Sequence, residues 1–336
     1  MKRANREDVA RLAGVSTAVV SYVINNGPRP VAKATRDRVV AAMAELHYRP
    51  NATARALKLA RTNVIGLLIR DITNPYFSEL AKRVQERAHR SGYALMVGNA
   101  GSDGVEETAE FQNMLAREVD GIAVYGIRRP ETLEAISTSG LRVVSLDWHL
   151  EGADIPSVGI DDYGAAREAV EHLLSHGYAE VGIIAGLGSP DFREQSWRDA
   201  MSVTDDPKRA DELRAYGEFS LEGGYEAALD LIERANPPRA IFVSSDVQAF
   251  GAIRAIQHRG LRIPHDVAIV SIDGTEASAF TYPSLTAIQL PLQEIAEYIV
   301  DELTSRDASP MRRTFGHTLI KRESCGCVPL SRRTGS

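Results

Sequence analysis

The chain has 336 residues, 44% hydrophobic and 25% charged, with 26 Gly and 15 Pro. That exceeds what one hydrophobic core usually serves, so two or three domains are expected, and neither a disordered nor a collagen-like chain fits. The formal charge of −6 is unevenly placed: residues 1–61 hold twelve basic and four acidic side chains, a net +8 against −14 for the rest. A basic segment of about 60 residues on an acidic body points to a polyanion-binding head joined to a different kind of domain. No run approaches the roughly 20 apolar residues that span a bilayer. Met1–Asp8 leads into no apolar h-region, so no membrane partner and no export are expected, and the expected location is cytoplasmic.

In the head, Asn5 is placed to cap a short helix over Arg6–Leu12, with Asp8 in its first turn and Val9, Leu12 and Ala13 on its apolar face. Gly14 supplies the permissive backbone of a turn, and Ser16 caps a second helix running to about Asn25, with Val19 or Val20, Val23 and Ile24 inward. A third helix, roughly Lys33–Leu46, buries Val39, Met43 and Leu46. Two short helices about a Gly-containing turn, closed by a third, make a helix-turn-helix. On the second helix Thr17, Ala18 and Tyr22 point away from the core, near the half that meets base edges in a major groove. Ser16, Asn25 and the surrounding Arg and Lys are placed to hold phosphates and fix register, and Ser21 is a further DNA-binding candidate. Next, Asn51 caps an Ala-rich stretch of about eight residues, marginal as a helix in water and carrying Arg55 and an apolar Leu57. Such a segment suits a linker that folds only against DNA or a partner chain, with Leu57 as a minor-groove wedge.

From Asn63 the pattern becomes alternating strand and helix. It reads strand Val64–Ile69, helix Tyr76–Arg90, strand Tyr93–Val97, helix Val105–Arg117, strand Gly121–Tyr125, helix Pro130–Thr138 and strand Leu141–Leu146. A second round reads helix Tyr163–His176, strand Val181–Ala185, helix Glu222–Arg234, strand Ala240–Ser244, helix Val247–His258 and strand Val267–Ile272. The alternation argues for two mostly parallel, doubly wound sheets in a bilobed α/β body, with a cleft at the strand C-termini.

Three runs in the head, Asp8-Val9-Ala10-Arg11-Leu12-Ala13-Gly14-Val15-Ser16, Val20-Ser21-Tyr22-Val23-Ile24-Asn25 and Tyr48-Arg49-Pro50-Asn51, resemble the DNA-binding head and hinge of the lactose-repressor (LacI/GalR) family. In the body, Asn74-Pro75-Tyr76-Phe77, Val119-Asp120-Gly121-Ile122, Phe250-Gly251-Ala252, Asp273-Gly274 and Leu319–Ser324 extend the resemblance over about residues 4–324. The resemblance implies a periplasmic-binding-protein-like body behind the head, residues 17, 18 and 22 reading bases, and Leu57 as the lever at the operator centre. It implies a head at 1–50, a hinge at 51–61, one lobe at 62–160 plus 291–320, and another at 161–290 plus 321–336. It also implies a homodimer on a palindromic double-stranded operator, switched by a small-molecule effector. The tail after Ser324 lacks apolar heptads, so a dimer rather than a zipper-linked tetramer is expected.

Effector candidates lie where strands end: Asp71, Tyr76, Phe77, Asp147, Trp148, Asp161, Arg193, Phe219, Ser245 and Asp273. Carboxylates and an Arg suit hydroxyl groups, and aromatics stack on a sugar or base ring. Tyr76 and Phe77 read equally as core residues, and Asp161 and Asp246 as helix caps. The resemblance places Asp147, Arg193 and Asp273 at the cleft, and leaves the effector open between a sugar-like polyol and a purine- or nucleoside-like ring. Enzymatic motifs are missing: Gly186-Leu187-Gly188-Ser189 is only a fragment of a dinucleotide loop, so no catalysis is expected. Cys325 and Cys327 read as free thiols too few for a zinc site, the His residues read as scattered, and neither metal nor other cofactor is expected.

Overall fold

The structure is a computed structural model that describes residues 4–25, 30–49, 61–101, 104–146, 155–187, 192–201, 207–305 and 312–327. It divides into two units, Met1–Thr62 and Asn63–Ser336.

The first unit is the three-helix head. Before α1 (Arg6–Ala13), the Asn5 side chain accepts the Glu7 and Asp8 N–H groups at 2.8 and 3.0 Å, and the Asp8 carboxylate accepts the Asn5 N–H at 3.0 Å. This reciprocal box satisfies N–H groups the helix itself leaves orphaned. Gly14, at φ 63°, closes the helix. Ser16 Oγ then accepts the Val19 N–H at 3.3 Å and opens α2 (Thr17–Asn25). In contrast, α3 (Lys33–Glu45) starts behind Ala32 with no side-chain cap. Val9, Ala10, Ala13, Val20, Val23, Val39 and Ala42 form the core. Leu12, expected inside, is 46% exposed, and Ala10 takes its place. At about 100° per residue, Leu12 lies about 60° beyond Val9, past the arc that α2 and α3 cover.

The second unit begins with β1 (Val64–Ile69), α4 (Pro75–Arg90), β2 (Ala94–Asn99), α5 (Glu107–Ala116), β3 (Gly121–Val124), α6 (Pro130–Ser139), β4 (Val143–Ser145) and β5 (Ser157–Ile160). It continues with α7 (Asp162–Ser175), β6 (Gly182–Gly186), α8 (Phe192–Met201), α9 (Pro207–Glu212), β7 (Arg214–Gly217), α10 (Leu221–Ile232), β8 (Ala240–Val243), α11 (Asp246–His258) and β9 (Ala268–Asp273). A 3-10 turn (Glu276–Phe280), β10 (Thr286–Gln289), α12 (Leu292–Thr304), β11 (Arg312–Phe315) and β12 (Thr318–Ile320) complete it.

Two sheets result, ordered β11-β5-β4-β3-β1-β2 and β12-β10-β9-β8-β6-β7. Every pairing is parallel except β10 with β12. Parallel strands covered on both faces read as apolar runs, and β1, β3, β6, β8 and β9 are buried almost throughout. In each sheet the strand order reverses next to its first strand, between β1 and β3 and between β6 and β8, which opens a crevice at the strand C-termini. The chain passes between the sheets after β5, after β10 and after β11. The third crossing falls at 316–317, ahead of the expected position near 320, because Thr318–Ile320 already pairs with Ala287–Gln289 of the second sheet.

Candidate functional site

Two surfaces carry the candidate residues. On α2, Ser16, Thr17 and Ala18 are exposed and Ser21 and Tyr22 half-buried, while Val20 and Val23 face the core. Burying one stripe of a nine-residue helix leaves its N-terminal turn standing clear of the bundle, as insertion in a major groove requires. Arg36 Nη1 donates to the Val23 carbonyl at 3.5 Å, bracing the end of α2 against α3. Arg55 and Leu57, and the side chain of Asn25, lie outside the described residues, as do Asp147 and Trp148.

The second surface lies at the strand C-termini of the body. Tyr76 and Phe77 open α4, both buried, with ring centroids 5.1 Å apart, and both meet Tyr125 edge-on at 6.3 and 4.7 Å. They are core residues, packed into the cluster that also holds β1 and α12. Burial pushes the Tyr76 phenol well up, with Tyr125, Asp273 and Asp162 adding to the shift and Arg193 opposing it. Further along α4, Glu79 Oε1 accepts the Glu276 N–H at 2.7 Å, so this helix of the first lobe meets the second just past Asp273.

Arg193 lies in the first turn of α8. Its Nε donates to Asp162 Oδ1 at 2.8 Å, its Nη2 is 2.8 Å from the same oxygen, and its Nη1 donates to the Ser244 carbonyl. Asp273 ends β9, buried, at φ 111°, a left-handed setting that costs a non-glycine residue about 1–3 kcal/mol. Its Oδ2 accepts the Asp246 N–H at 3.1 Å. Asp246 itself accepts from Ser271 Oγ at 2.6 Å and from the Thr275 N–H and Oγ1, each at 2.7 Å. Burial pushes both carboxyls up, Asp273 furthest because it also faces the Asp246 charge, which its own donors stabilise. The Ser244 hydroxyl, at the end of β8, is buried without a hydrogen-bond partner among the described residues.

Other candidates answer to the local backbone. Asp161 caps α7, accepting the Gly164 N–H at 2.8 Å. Asp71 closes a turn on the Thr73 N–H and Oγ1 at 2.8 and 2.7 Å. Ser245 caps α11, so Asp246, expected as a cap, instead sits in the first helical turn and ties it to β9. Phe219, half-buried after β7, lays its ring over Gly186, where an added Cβ would stand 2.2 Å from it. The sequence reading passed over Asp162 and Ser244.

Residues 7–51 match the bacterial regulatory proteins of the lacI family, and residues 170–325 match a periplasmic binding protein-like domain. The HTH-type transcriptional regulator DegA of Bacillus subtilis is 38% identical over 298 residues, covering 86% of this chain and 87% of DegA. The HTH-type transcriptional repressor PurR of Escherichia coli O1:K1 is 32% identical over 333 residues, covering 96% and 97%. The lac repressor dimer bound to operator and the anti-inducer ONPF superposes with a TM-score of 0.79 at 26% identity, covering 96% of this chain and 99% of that one.

The chain belongs to the lacI family. It is a DNA-binding transcriptional regulator whose helix-turn-helix head is carried by a ligand-binding α/β body. Its relatives are transcriptional regulators rather than enzymes. No helix among the described residues is long and apolar enough to cross a membrane.

Proposed function

We propose that this lacI-family protein is a repressor that binds a palindromic operator as a homodimer. Thr17, Ala18 and Tyr22 read bases; Ser16, Ser21, Asn25 and Arg55 hold phosphates, and Leu57 wedges the minor groove at the operator centre. A small, neutral, hydroxyl-rich ring, sugar-like in class, sits between the lobes and changes operator affinity. Arg193, aimed by Asp162, and Asp273 bond its hydroxyls, and Tyr76, Phe77 and Trp148 flank its ring. Asp147 and Ser244 complete the polar lining. The head at 1–50, the hinge at 51–61 and the two lobes are the working parts of this proposal.

The observation that carries it is that α4, which opens with Tyr76 and Phe77, meets the second lobe just past Asp273, where Glu79 Oε1 accepts the Glu276 N–H at 2.7 Å. A molecule held there touches both lobes, so its binding energy bears on their relative setting and, through β1, on the hinge that precedes it. A planar purine-like ring is the second reading, favoured by the Phe219 ring over Gly186. Thermal-shift screening of the full chain against sugars, nucleosides and purines separates the two, followed by affinity for a selected palindrome with and without the hit. A sugar hit should change operator affinity by about 5- to 150-fold. A purine hit alone overturns the sugar reading in favour of the second, and no preference for any palindrome defeats the whole proposal.

A further inference from the structure

Away from the cleft, the second lobe brings together His172, His176, Cys325 and Cys327, whose ligand atoms all lie within 4.8 Å of one another. This corrects the reading of scattered His; the two cysteines are free thiols, as expected. His172 and His176 are four residues apart, so they share one face at the C-terminal end of α7. Cys325 and Cys327 flank Gly326, which at φ 91° adopts a left-handed bend that favours glycine and folds the short run back toward that face.

The cysteine run is fixed before any ion is considered. The Ser324 carbonyl accepts the Ile269 N–H at 2.9 Å, while its hydroxyl donates to the Ile269 carbonyl at 2.7 Å and accepts the Thr286 N–H at 2.8 Å. Cys325 Sγ then stands 3.3 Å from His172 Nε2, and Cys327 Sγ stands 3.7 Å from His172 Nε2 and 3.4 Å from His176 Nε2. With zinc bonds of about 2.3 Å to sulfur and about 2.0–2.1 Å to nitrogen, a tetrahedral centre puts S and N about 3.5 Å apart. Three S–N edges bracket that value, and the widest separations, up to 4.8 Å, would close by about 1 Å on binding.

We propose that these four side chains form a tetrahedral Cys2His2 site for a zinc-class ion, stapling the C-terminal run to α7. Two thiolates and two imidazoles are the donor set that a borderline-soft, tetrahedral ion selects. Thr286 Oγ1 at 3.1 Å and the Cys327 N–H at 3.5 Å both donate to Cys325 Sγ, the outer-shell support that a metal-bound thiolate takes. Binding displaces a proton from each thiol to solvent and forms two metal–sulfur and two metal–nitrogen bonds, with no redox change.

The test uses the reduced full chain, stripped with a chelator and titrated with Co2+ and then Zn2+. One equivalent of Co2+ should give tetrahedral ligand-field bands with thiolate charge transfer, and Zn2+ should abolish them stoichiometrically. His176 is exposed and Cys327 half-exposed, so the double variant His176→Ala/Cys327→Ser should keep its fold and its chelator-treated thermal midpoint. It should bind Zn2+ more than about 100-fold more weakly, since even outer-shell changes cost 10- to 100-fold. A folded, reduced chain that takes up no stoichiometric Co2+ or Zn2+, or a double variant that binds as tightly as the unsubstituted chain, overturns the site.

Discussion

Replacing Arg193 with Ala should separate ligand response from DNA binding. The guanidinium is held on two sides, by the Asp162 carboxylate at 2.8 Å and by the Ser244 carbonyl, with only 14% of the side chain exposed. A hydrogen bond from such a charged, pre-aimed donor to a ligand is worth about 1.5–3 kcal/mol, so its loss weakens ligand binding by about 10- to 150-fold. The cost to the fold is smaller. Asp162 loses its cation, but its side chain is 29% exposed and water replaces much of what is lost, leaving about 1–2 kcal/mol. Arg193→Lys should fail almost as badly, because one ammonium cannot reproduce a fork spanning Asp162 and the Ser244 carbonyl. The assay is operator affinity of the purified protein across a titration of whichever compound raises the thermal midpoint of the unsubstituted chain. Unliganded DNA binding should stay within about twofold while the response disappears. A folded Arg193→Ala protein with an undiminished response refutes the reasoning, and so does equal loss of unliganded DNA binding.

Asp273→Asn tests the same crevice through pH. Burial and the Asp246 charge raise the Asp273 pKa in the folded chain, with Arg193 opposing and Asp162 adding to the rise. The stability this gives is fully present below the unfolded value of about 4 and is lost as pH rises through the raised value. Asn carries no such penalty and still accepts the Asp246 N–H. Urea unfolding should therefore show Asp273→Asn more stable than the unsubstituted chain at neutral pH, the advantage shrinking toward about pH 4, while effector response is lost; parallel pH profiles would contradict this. Gly224→Ala should destabilise although it places the best helix former inside α10. The added methyl would lie 2.0 Å from the Gln248 carbonyl oxygen, and Gln248 is anchored by its amide bond to the Gly217 carbonyl at 2.9 Å. A loss of about 3 kcal/mol or more is expected, against the gain of up to about 1 kcal/mol that propensity alone would give, read from the urea midpoint.

The long apolar strands and amphipathic helices were legible because burial on both faces of a parallel sheet leaves a continuous pattern. Strand β1 was read with its observed bounds, and the helices at 75–90 and 130–139 to within a residue. The missed strands β5, β7, β10, β11 and β12 run three or four residues, too short for a period to declare itself. Helix α12 is different: Ile295, Ala296, Ile299, Val300 and Leu303 keep helical spacing and are all buried, so the signal was there to be used. Helix α8 buries only Ser196, Trp197 and Met201 among mostly polar residues, which hid the element that positions Arg193.

Within the site, local backbone demand decided which polar residues were available to a ligand. A helix start offers N–H groups that need an acceptor, and the residue in the capping position is taken by them. In the pair Asp161-Asp162 the first carboxylate answers the Gly164 N–H, which leaves the second to orient Arg193. In Ser245-Asp246 the serine caps α11, so the aspartate is free of that duty and instead braces β9. Spacing in the sequence cannot choose between neighbours of this kind, since both are acceptable caps; the choice follows from where the helix begins. The Cys2His2 cluster obeys the same logic over a longer range. Each half is a local pattern, His-x-x-x-His and Cys-Gly-Cys, but only the pinning of Ser324 to β9 and β10 sets one half against the other. The side chains given roles in the two proposed sites therefore meet partners from other elements: Asp162, Arg193 and Asp273 in the crevice, and the two cysteines against α7.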